Sequence, residues 1–334
     1  MHAPGAETAA VGRAADDGSP DDGSPDAVEI AARMLGDLAR RDVPLAPFTT
    51  YKVGGAAALH VSARSHDDLR LVARAVRRSG LPLLVVGRGS NLLVSDAGFR
   101  GVALSVVDMT SEVDLDVSSG LVEAGSAVRL PVLARQTVRA GLTGFEWAVG
   151  VPGSIGGAVR MNAGGHGSDM SESLVDVRVC DLSHVDAPVR VVPARDLGLR
   201  FRGSDLDSDD VVLSARLQLA PGDPEDGERE LGEIVAWRRT NQPGGQNAGS
   251  VFVNPVPGEV SAGALIDGVG LRGMRMGRAF VSDKHANFIQ ADPDGSADDV
   301  VALMRHVRAT VLERTGHALR SEIQLVGFGD DPWA

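Results

Sequence analysis

The sequence is poor in cysteine and has no long apolar run. Cys180 is the only cysteine among 334 residues, which excludes an internal disulfide and a Cys-x-x-Cys metal site and fits a reducing cytoplasm. A membrane-spanning helix needs about twenty consecutive apolar residues, and no such run occurs. Residues 1–27 lack the apolar stretch of a secretory signal. The net charge of −12 disfavours non-specific binding to nucleic acid or anionic lipid.

Several catalytic motifs are also missing. No glycine loop is followed by Gly-Lys-Ser/Thr, and neither His-Glu-x-x-His nor Gly-x-Ser-x-Gly occurs, so the P-loop, metallopeptidase and serine-hydrolase classes lose their main support and no metal is expected. Residues 268–273 match Gly-x-Gly-x-x-Gly, but a helical pattern precedes them and a strand pattern follows. This order is the reverse of the dinucleotide-binding one, and it predicts a helix end and a turn.

Glycine, in contrast, is concentrated in two segments, residues 83–95 and 147–167. Glycine allows positive φ and close backbone approach to a ligand, and successive N–H groups in such turns bind anions. Ser90 and Asn91 follow the first turn and can either bond a phosphate oxygen or adopt left-handed backbone. The two segments together predict a large phosphate-bearing cofactor held between two subdomains.

The remaining patterns predict an α+β protein. Residues 1–27 carry repeated acidic DDGSP units and are predicted to be a disordered tail. Apolar spacing predicts helices over 28–41, 67–79, about 129–140, from 228 to before Pro243, and 297–315, with a strand at 81–87 that is buried on both faces. Short strands fill 101–220, residues 221–227 form a polar linker, and a strand closes the chain. The predicted domains are 28–222, split near residue 105, and 228–330.

Three short segments carry candidate chemistry. Residues 247–255 alternate, which would place Ser250, Phe252 and Asn254 on one strand face, so that a hydroxyl and an amide could act as proton donor and ligand anchor. The same alternation would put Arg200 and Arg202 on one face of a strand, and Glu322 and Gln324 on one face of the last strand. Each pattern taken alone is equally typical of a solvated strand face.

Taken together, these motifs resemble the UDP-N-acetylenolpyruvoylglucosamine reductase family, in its shorter form. The resemblance extends from about Pro44 to Gly327 and is carried by the strings TTYKVGG, VVGRGSNLLVSDAGFRG, GVPGSIGGAVRMNAGGHG, RFRGS, NQPGGQNAGSVFVNP, VSDKHANF and RSEIQLVG. It implies a two-subdomain FAD-binding domain of the vanillyl-alcohol-oxidase (PCMH) type, followed by a C-terminal α+β substrate-binding domain.

The resemblance also implies an activity. NADPH would reduce non-covalently bound FAD, which would reduce UDP-N-acetylglucosamine enolpyruvate to UDP-N-acetylmuramate for peptidoglycan synthesis, in a cytoplasmic monomer. The implied catalytic residues are Arg202, Ser250 and Glu322. Arg202 would also bind substrate, together with Asn254, Lys284, His285 and Asn287. The implied cofactor-binding residues are Tyr51, Val53, Gly54, Gly55, Gly87, Arg88, Gly89, Ser90, Asn91, Leu92, Gly150, Val151, Pro152, Gly153, Ser154, Gly156, Gly157, Asn162 and Gly164.

Two positions depart from the family pattern, because Phe201 replaces the usual tyrosine before Arg202 and Val253 replaces the usual basic residue before Asn254. Two other functions remain open on the residues alone. One is a flavin oxidase that tethers FAD covalently, for which His166 is the candidate attachment residue. The other is a non-catalytic binder of a flavin or a nucleotide sugar, which would need neither Ser250 nor Glu322.

Overall fold

The computed structural model describes residues 25–329 and residue 333. The predicted tail therefore lies outside the described residues, apart from 25–27, which form the start of the first helix. The elements of the N-terminal part are α1 Pro25–Leu35, β1 Ala39–Pro44, β2 Ala56–Ser62, α2 His66–Ser79, β3 Leu83–Val86, β4 Leu92–Val94 and β5 Phe99–Ser105.

The first unit is a four-stranded sheet of order β1-β2-β5-β3, in which β5 pairs in parallel with both β2 and β3. Helix α2 confirms the prediction over 67–79: Ser65 and Asp68 form a capping box, and Gly80 ends the helix with φ 73°. The predicted helix over 28–41 is wrong in its second half, because Gly36 takes φ 53° and residues 39–44 pair with β2 instead. The apolar strand β3 lies at the sheet edge and is only partly buried, with Leu83 and Val85 packed against one hydrophobic cluster and Leu84 against another.

The second unit is built on an antiparallel sheet of order β12-β11-β13-β7-β6, with three helices packed against it. The predicted short strands and the helix near 129–140 are confirmed. The elements are β6 Val113–Asp116, β7 Leu121–Gly125, α3 Leu130–Arg139, β8 Leu142–Thr143, α4 Ile155–Arg160, β9 Gly164–Gly165, β10 Ser168–Asp169, β11 Leu174–Asp181, β12 Val189–Pro193, β13 Asp210–Gln218, β14 Ala220–Pro221 and α5 Pro224–Asn241.

Helix α5 corrects the predicted linker. Asp223 caps the helix and Pro224 begins it, so residues 224–227 are helical and not a linker. Leu231 and Ile234 of α5 lie in the same hydrophobic core as α3 and the five-stranded sheet. The predicted start of the second domain at 228 falls inside this helix, and the division into domains stays a prediction.

The C-terminal part comprises α6 Ala262–Gly268, β15 Arg275–Met276, β16 Ala279–Val281, β17 Ile289–Ala291, α7 Ala297–Thr315 and β18 Gln324–Val326. Helix α7 has the predicted bounds, and the predicted helix end and turn at 268–273 are confirmed because α6 precedes them and β15 follows. The closing strand β18 is shorter than predicted and pairs in parallel with β4. Within the described part of the chain, no helix combines the length and apolar character needed to cross a membrane.

Candidate active site

The first glycine segment is packed tightly against the loop that precedes β2. Gly89 has φ 58°, and a Cβ there would lie 2.1 Å from the carbonyl oxygen of Phe48. Thr50 N donates to Gly89 O at 3.2 Å. Gly54 has φ 109°, and its Cβ would lie 2.4 Å from Val94 O. Only glycine fits at positions 54 and 89, and it brings the TTYKVGG and GRGSN segments together.

The second glycine segment faces the first. A Cβ on Gly153 would lie 3.4 Å from Ser90 Oγ, and one on Gly87 would lie 3.5 Å from Ser154 Oγ. Gly153 has φ 145°, and residues 153–155 are held by an isolated antiparallel bridge to residues 128–130. The structure therefore joins the two glycine-rich segments that the sequence placed about sixty residues apart.

This junction leaves main-chain donors available. Among the described residues, the amides of 87–91 and those of Gly153, Ser154 and Gly157 find no hydrogen-bond acceptor. Gly157, in the first turn of α4, is exposed, and no atom lies within 4 Å of where its Cβ would be. Thr50 Oγ1 and Ser126 Oγ, at the two sides of the junction, are buried and have no hydrogen-bond partner in the described part of the chain. Free amides, open space and unpaired hydroxyls fit a bound phosphate-bearing group. We call this region the glycine cradle: residues 50–55, 87–92, 126 and 150–157.

Some predicted cofactor residues have side chains elsewhere. The Tyr51 side chain is fully buried in the C-terminal core, where its hydroxyl donates to Ile289 O at 3.0 Å. Val53 lies in the same core. Asn162 is buried and clamps the loop after α4: Oδ1 accepts from Ser171 N and Nδ2 donates to Asp169, both at 3.0 Å. Tyr51 and Val53 thus anchor residues 50–55 of the glycine cradle, whereas Asn162 holds the loop that follows α4.

At the edge of the cradle, Arg202 and Glu322 form an ion pair. Arg202 Nε donates to Glu322 Oε1 at 2.5 Å, and Nη2 donates to Gly164 O at 3.2 Å. The predicted strand around Arg202 is wrong, because Arg200 and Gly203 exchange main-chain hydrogen bonds across a two-residue turn in which Arg202 has φ 56°. The turn aims the guanidinium at Glu322, while the exposed Phe201 ring lies 4.9 Å from the guanidinium carbon.

Ser250 lies beside this pair along the main chain. Glu322 N donates to Val251 O at 2.8 Å, so the serine segment and the glutamate segment are directly joined. The predicted alternation over 247–255 is wrong: Val251 and Phe252 are both buried, Asn254 is exposed, and the segment makes only an isolated bridge at Phe252. The buried Asn287 amide replaces a strand partner, since Oδ1 accepts from Phe252 N at 3.0 Å and Nδ2 donates to Phe252 O at 2.8 Å.

Two influences shift the pKa of the Glu322 carboxyl in opposite directions. Burial raises the pKa of the Glu322 carboxyl above its ordinary value, and the charge and hydrogen bond of Arg202 act in the other direction without cancelling the rise. A buried carboxyl with a raised pKa next to a fixed cation is typical of catalytic sites.

The other predicted substrate residues lie along one connected stretch. Lys284 Nζ donates to Arg239 O at 2.5 Å, which ties the stretch to the end of α5. His285 Nδ1 accepts from Asn287 N at 3.2 Å, and burial, followed by the charge of Arg272, lowers the pKa of His285. Asn254 Oδ1 accepts from Ala262 N at 3.0 Å.

Sequence reasoning missed the contribution of α5. The ring centroids of Trp237 and His166 are 5.1 Å apart, and a Cβ on Gly150 would lie 2.8 Å from Arg238 Cδ. The run WRR at the end of α5 could have indicated this, because two arginines beside a tryptophan are unusual on a purely solvated helix face.

Comparison with known proteins decides the family. The family model described as UDP-N-acetylenolpyruvoylglucosamine reductase, C-terminal domain, matches residues 240–326, and the FAD binding domain model matches residues 57–187. A curated UDP-N-acetylenolpyruvoylglucosamine reductase from Synechococcus sp. strain RCC307 is 42% identical over 86% of this chain and 94% of its own length. The chain belongs to the UDP-N-acetylenolpyruvoylglucosamine reductase family.

Two further members of the reductase family are also similar to most of this chain. The relative from Heliobacterium modesticaldum is 42% identical over 85% of this chain and 89% of its own length. The crystal structure of the reductase from Thermus caldophilus superposes with a TM-score of 0.72 at 34% identity, covering 86% of this chain and 99% of that one. The predicted family, the α+β fold with its FAD-binding domain, and FAD as cofactor are thereby confirmed.

Proposed function

We propose that the protein reduces UDP-N-acetylglucosamine enolpyruvate to UDP-N-acetylmuramate with NADPH as electron donor, for peptidoglycan precursor synthesis. The glycine cradle would hold the FAD diphosphate through the free amides of residues 87–91 and of Gly153, Ser154 and Gly157, with Thr50 and Ser126 as added hydrogen-bonding groups. When bound, FAD would supply the hydride chemistry that links NADPH to the terminal vinyl carbon of the substrate. The protein supplies position, electrostatics and a proton.

One observation carries the proposal: the Arg202–Glu322 pair and the Ser250 segment are joined at the edge of the cradle. After hydride addition, negative charge develops on the carbon next to the substrate carboxylate. Arg202 would bind that carboxylate, because a guanidinium stays charged and can make two parallel hydrogen bonds to it. Glu322 in its protonated form would donate a hydrogen bond to the enolate oxygen, and its raised pKa favours this form.

Ser250 would give its hydroxyl proton to the carbanion. A serine hydroxyl is a weak acid, but a carbanion is a strong base, so geometry matters more than acidity. Ser250 is half-buried, and its neighbour Val251 is hydrogen-bonded on both sides, to Glu322 N and to Asn287 O, each at 2.8 Å. The hydroxyl is thus carried by a main chain that is fixed relative to the carboxyl.

Ser250→Ala separates the two half-reactions. We expect flavin reduction by NADPH to proceed at close to the normal rate, because the hydride donor needs no proton from Ser250. Reoxidation of the flavin by the enolpyruvyl substrate should slow at least a hundredfold, the usual contribution of a positioned acid being roughly 10² to 10⁴. Stopped-flow absorbance of the flavin band measures both rates in one enzyme preparation.

Asn254→Ala serves as the matched control, because Asn254 belongs to the same segment but its side chain accepts from Ala262 N and makes no hydrogen bond to Arg202 or Glu322. It should raise the substrate KM more than it lowers the reoxidation rate at saturation. Normal reoxidation in Ser250→Ala would remove Ser250 from the mechanism. A preparation that takes up no FAD would remove the proposed function as a whole.

The substrate side would be formed by Asn254, Lys284, His285 and Asn287, which border the Ser250 segment. The UDP diphosphate needs cationic partners, and Val253 offers none. Two cations belong to this stretch: Lys284 itself, and Arg272, whose Nη1 donates to Asp283 O at 2.7 Å. We place the reaction in the cytoplasm, in line with the reducing environment that a single cysteine suits. We also propose that the protein acts as a monomer.

A further inference from the structure

Asn91 of the cofactor loop makes a contact that phosphate binding does not require. Its side-chain Nδ2 donates to the main-chain carbonyl oxygen of Glu322 at 3.0 Å, across 231 positions of sequence. Its own carbonyl oxygen accepts from Gln324 N at 2.9 Å. Asn91 therefore bonds both to Glu322, a member of the proposed catalytic pair, and to Gln324, two residues later.

The Asn91 amide is the one described donor to the Glu322 carbonyl. Strand pairing begins only at Gln324, which pairs with Leu92, so Glu322 lies outside the ladder of β4 and β18. On its other side, Glu322 N is bound to Val251 O at 2.8 Å. The peptide units that flank Glu322 are thus fixed by two partners, one from the cofactor loop and one from the serine segment.

The backbone of the loop supports the same interpretation. Within the GRGSN string, the left-handed conformation is taken by Gly89 with φ 58°, and neither Ser90 nor Asn91 has positive φ. Left-handed backbone is therefore not the reason for an asparagine at this position. What position 91 requires is a short side chain with an N–H donor, and Ser90 points instead toward Gly153.

We propose that Asn91 is a positioning residue for Glu322: by holding the Glu322 carbonyl, it keeps the carboxyl against Arg202 and beside the Ser250 segment. This inference rests on the proposed role of Glu322. Because Asn91 belongs to the cofactor loop, the position of the acid is coupled to the order of the loop that holds FAD. A side chain at one edge of the cradle would thereby adjust the second half-reaction.

The test is a double-mutant cycle on the FAD-loaded enzyme, with Asn91→Ala, Glu322→Gln and the double variant. Loss of one hydrogen bond to a partly buried carbonyl corresponds to about a tenfold change in rate. We expect Asn91→Ala to slow flavin reoxidation by the substrate about tenfold while slowing flavin reduction by NADPH clearly less. In the Glu322→Gln background, the same substitution should add less than about threefold, since residues that act as a unit are not additive.

Ser90→Ala is the matched control, because it alters the same loop without contacting Glu322. It should change the two half-reactions by similar factors and should multiply with Glu322→Gln. Asn91→Ala would be shown to act on cofactor binding alone if it slowed both half-reactions equally, or if its effect multiplied fully with that of Glu322→Gln. A Glu322→Gln enzyme with normal reoxidation would instead overturn the proposed role of Glu322, a distinct result.

Discussion

At the scale of single residues, the site depends on the Glu322 carboxyl, whose pKa is shifted in opposite directions by burial and by the neighbouring Arg202. Burial favours the neutral form of Glu322 and Arg202 favours the charged form, with burial dominant. The carboxyl therefore loses its proton at a higher pH than an ordinary glutamate. If the protonated form is the active one, pH should control the second half-reaction and not the first.

Glu322→Gln tests this pH dependence. In the unaltered enzyme, flavin reoxidation by the substrate should slow as pH rises through the raised pKa, by about tenfold per pH unit above it, because the protonated fraction falls. In Glu322→Gln the reoxidation should be slow at every pH and should lack this step. Stopped-flow rates between pH 5 and 9 would be measured, and a step that persists in the variant would assign it to another group.

At the scale of elements, the cofactor half and the C-terminal half are joined by a helix cap. Asp96, just after β4, accepts hydrogen bonds at the start of α7, from Ala297 N at 3.1 Å, Asp298 N at 3.0 Å and Ser296 Oγ at 2.6 Å. A carboxylate there satisfies amides that have no partner within the helix. The cap comes from a residue 200 positions earlier, so it stabilises tertiary structure as well as the helix.

Asp96→Ala should lower the free energy of unfolding by about 1–2 kcal/mol, the usual contribution of a capping side chain at its upper end. Urea unfolding followed by circular dichroism would measure it. Asp298→Ala, in the first turn of the same helix, removes a carboxylate that does not take part in the cap, and it should cost less than half as much. Equal losses in the two variants would contradict the role of Asp96.

Local signals predicted most elements, and tertiary contacts decided the rest. Helices α2 and α7 were predictable because caps, glycine stops and one apolar stripe agreed along the sequence. The strand β1 was not predictable, because the apolar residues of 28–41 have helical spacing. In the fold the helix ends before Gly36, and residues 39–44 pair with β2. The irregular backbone around Ser250 could not be predicted either, because its hydrogen-bond partners, Asn287 and residues 320–322, are distant in sequence.

The candidate site shows the same division. Both glycine segments could be identified from their composition, and the residues Arg202, Ser250 and Glu322 from family motifs. The left-handed turn at Arg202 could not be, because a positive φ is uncommon for a residue other than glycine. The link from Asn91 to Glu322 could not be, because it joins segments that meet only in the folded chain. Sequence patterns therefore indicated which residues matter and left open how they hold one another.

At the scale of the whole molecule, the glycine cradle lies where the N-terminal sheet and the antiparallel sheet meet, so cofactor binding should stabilise both. Removing FAD should lower the melting temperature. A ligand that binds only the folded state adds about 1.4 kcal/mol for each tenfold rise in its concentration above Kd. Gly157→Ala should keep or raise the melting temperature of the FAD-free protein, because nothing lies within 4 Å of the added Cβ and alanine favours a helix.

The same substitution should reduce the rise in melting temperature that FAD produces, since the open space at Gly157 would be occupied. Gly232→Ala is the matched control: it also lies in a helix with nothing within 4 Å of the added Cβ, but on α5 away from the cradle. It should preserve the full rise with FAD. Differential scanning fluorimetry with and without FAD would compare the two, and an undiminished rise in Gly157→Ala would exclude contact there.

The parallel pairing of β18 with β4 also has a consequence for biosynthesis. Residues 324–326 add the partner strand to residues 92–94, and the segment just before them brings Glu322 to Asn91. During translation, the cofactor loop leaves the ribosome more than two hundred codons before the glutamate that it will hold. A nascent chain can thus assemble most of its cradle early, yet it acquires a complete acid site only after Glu322 has been added.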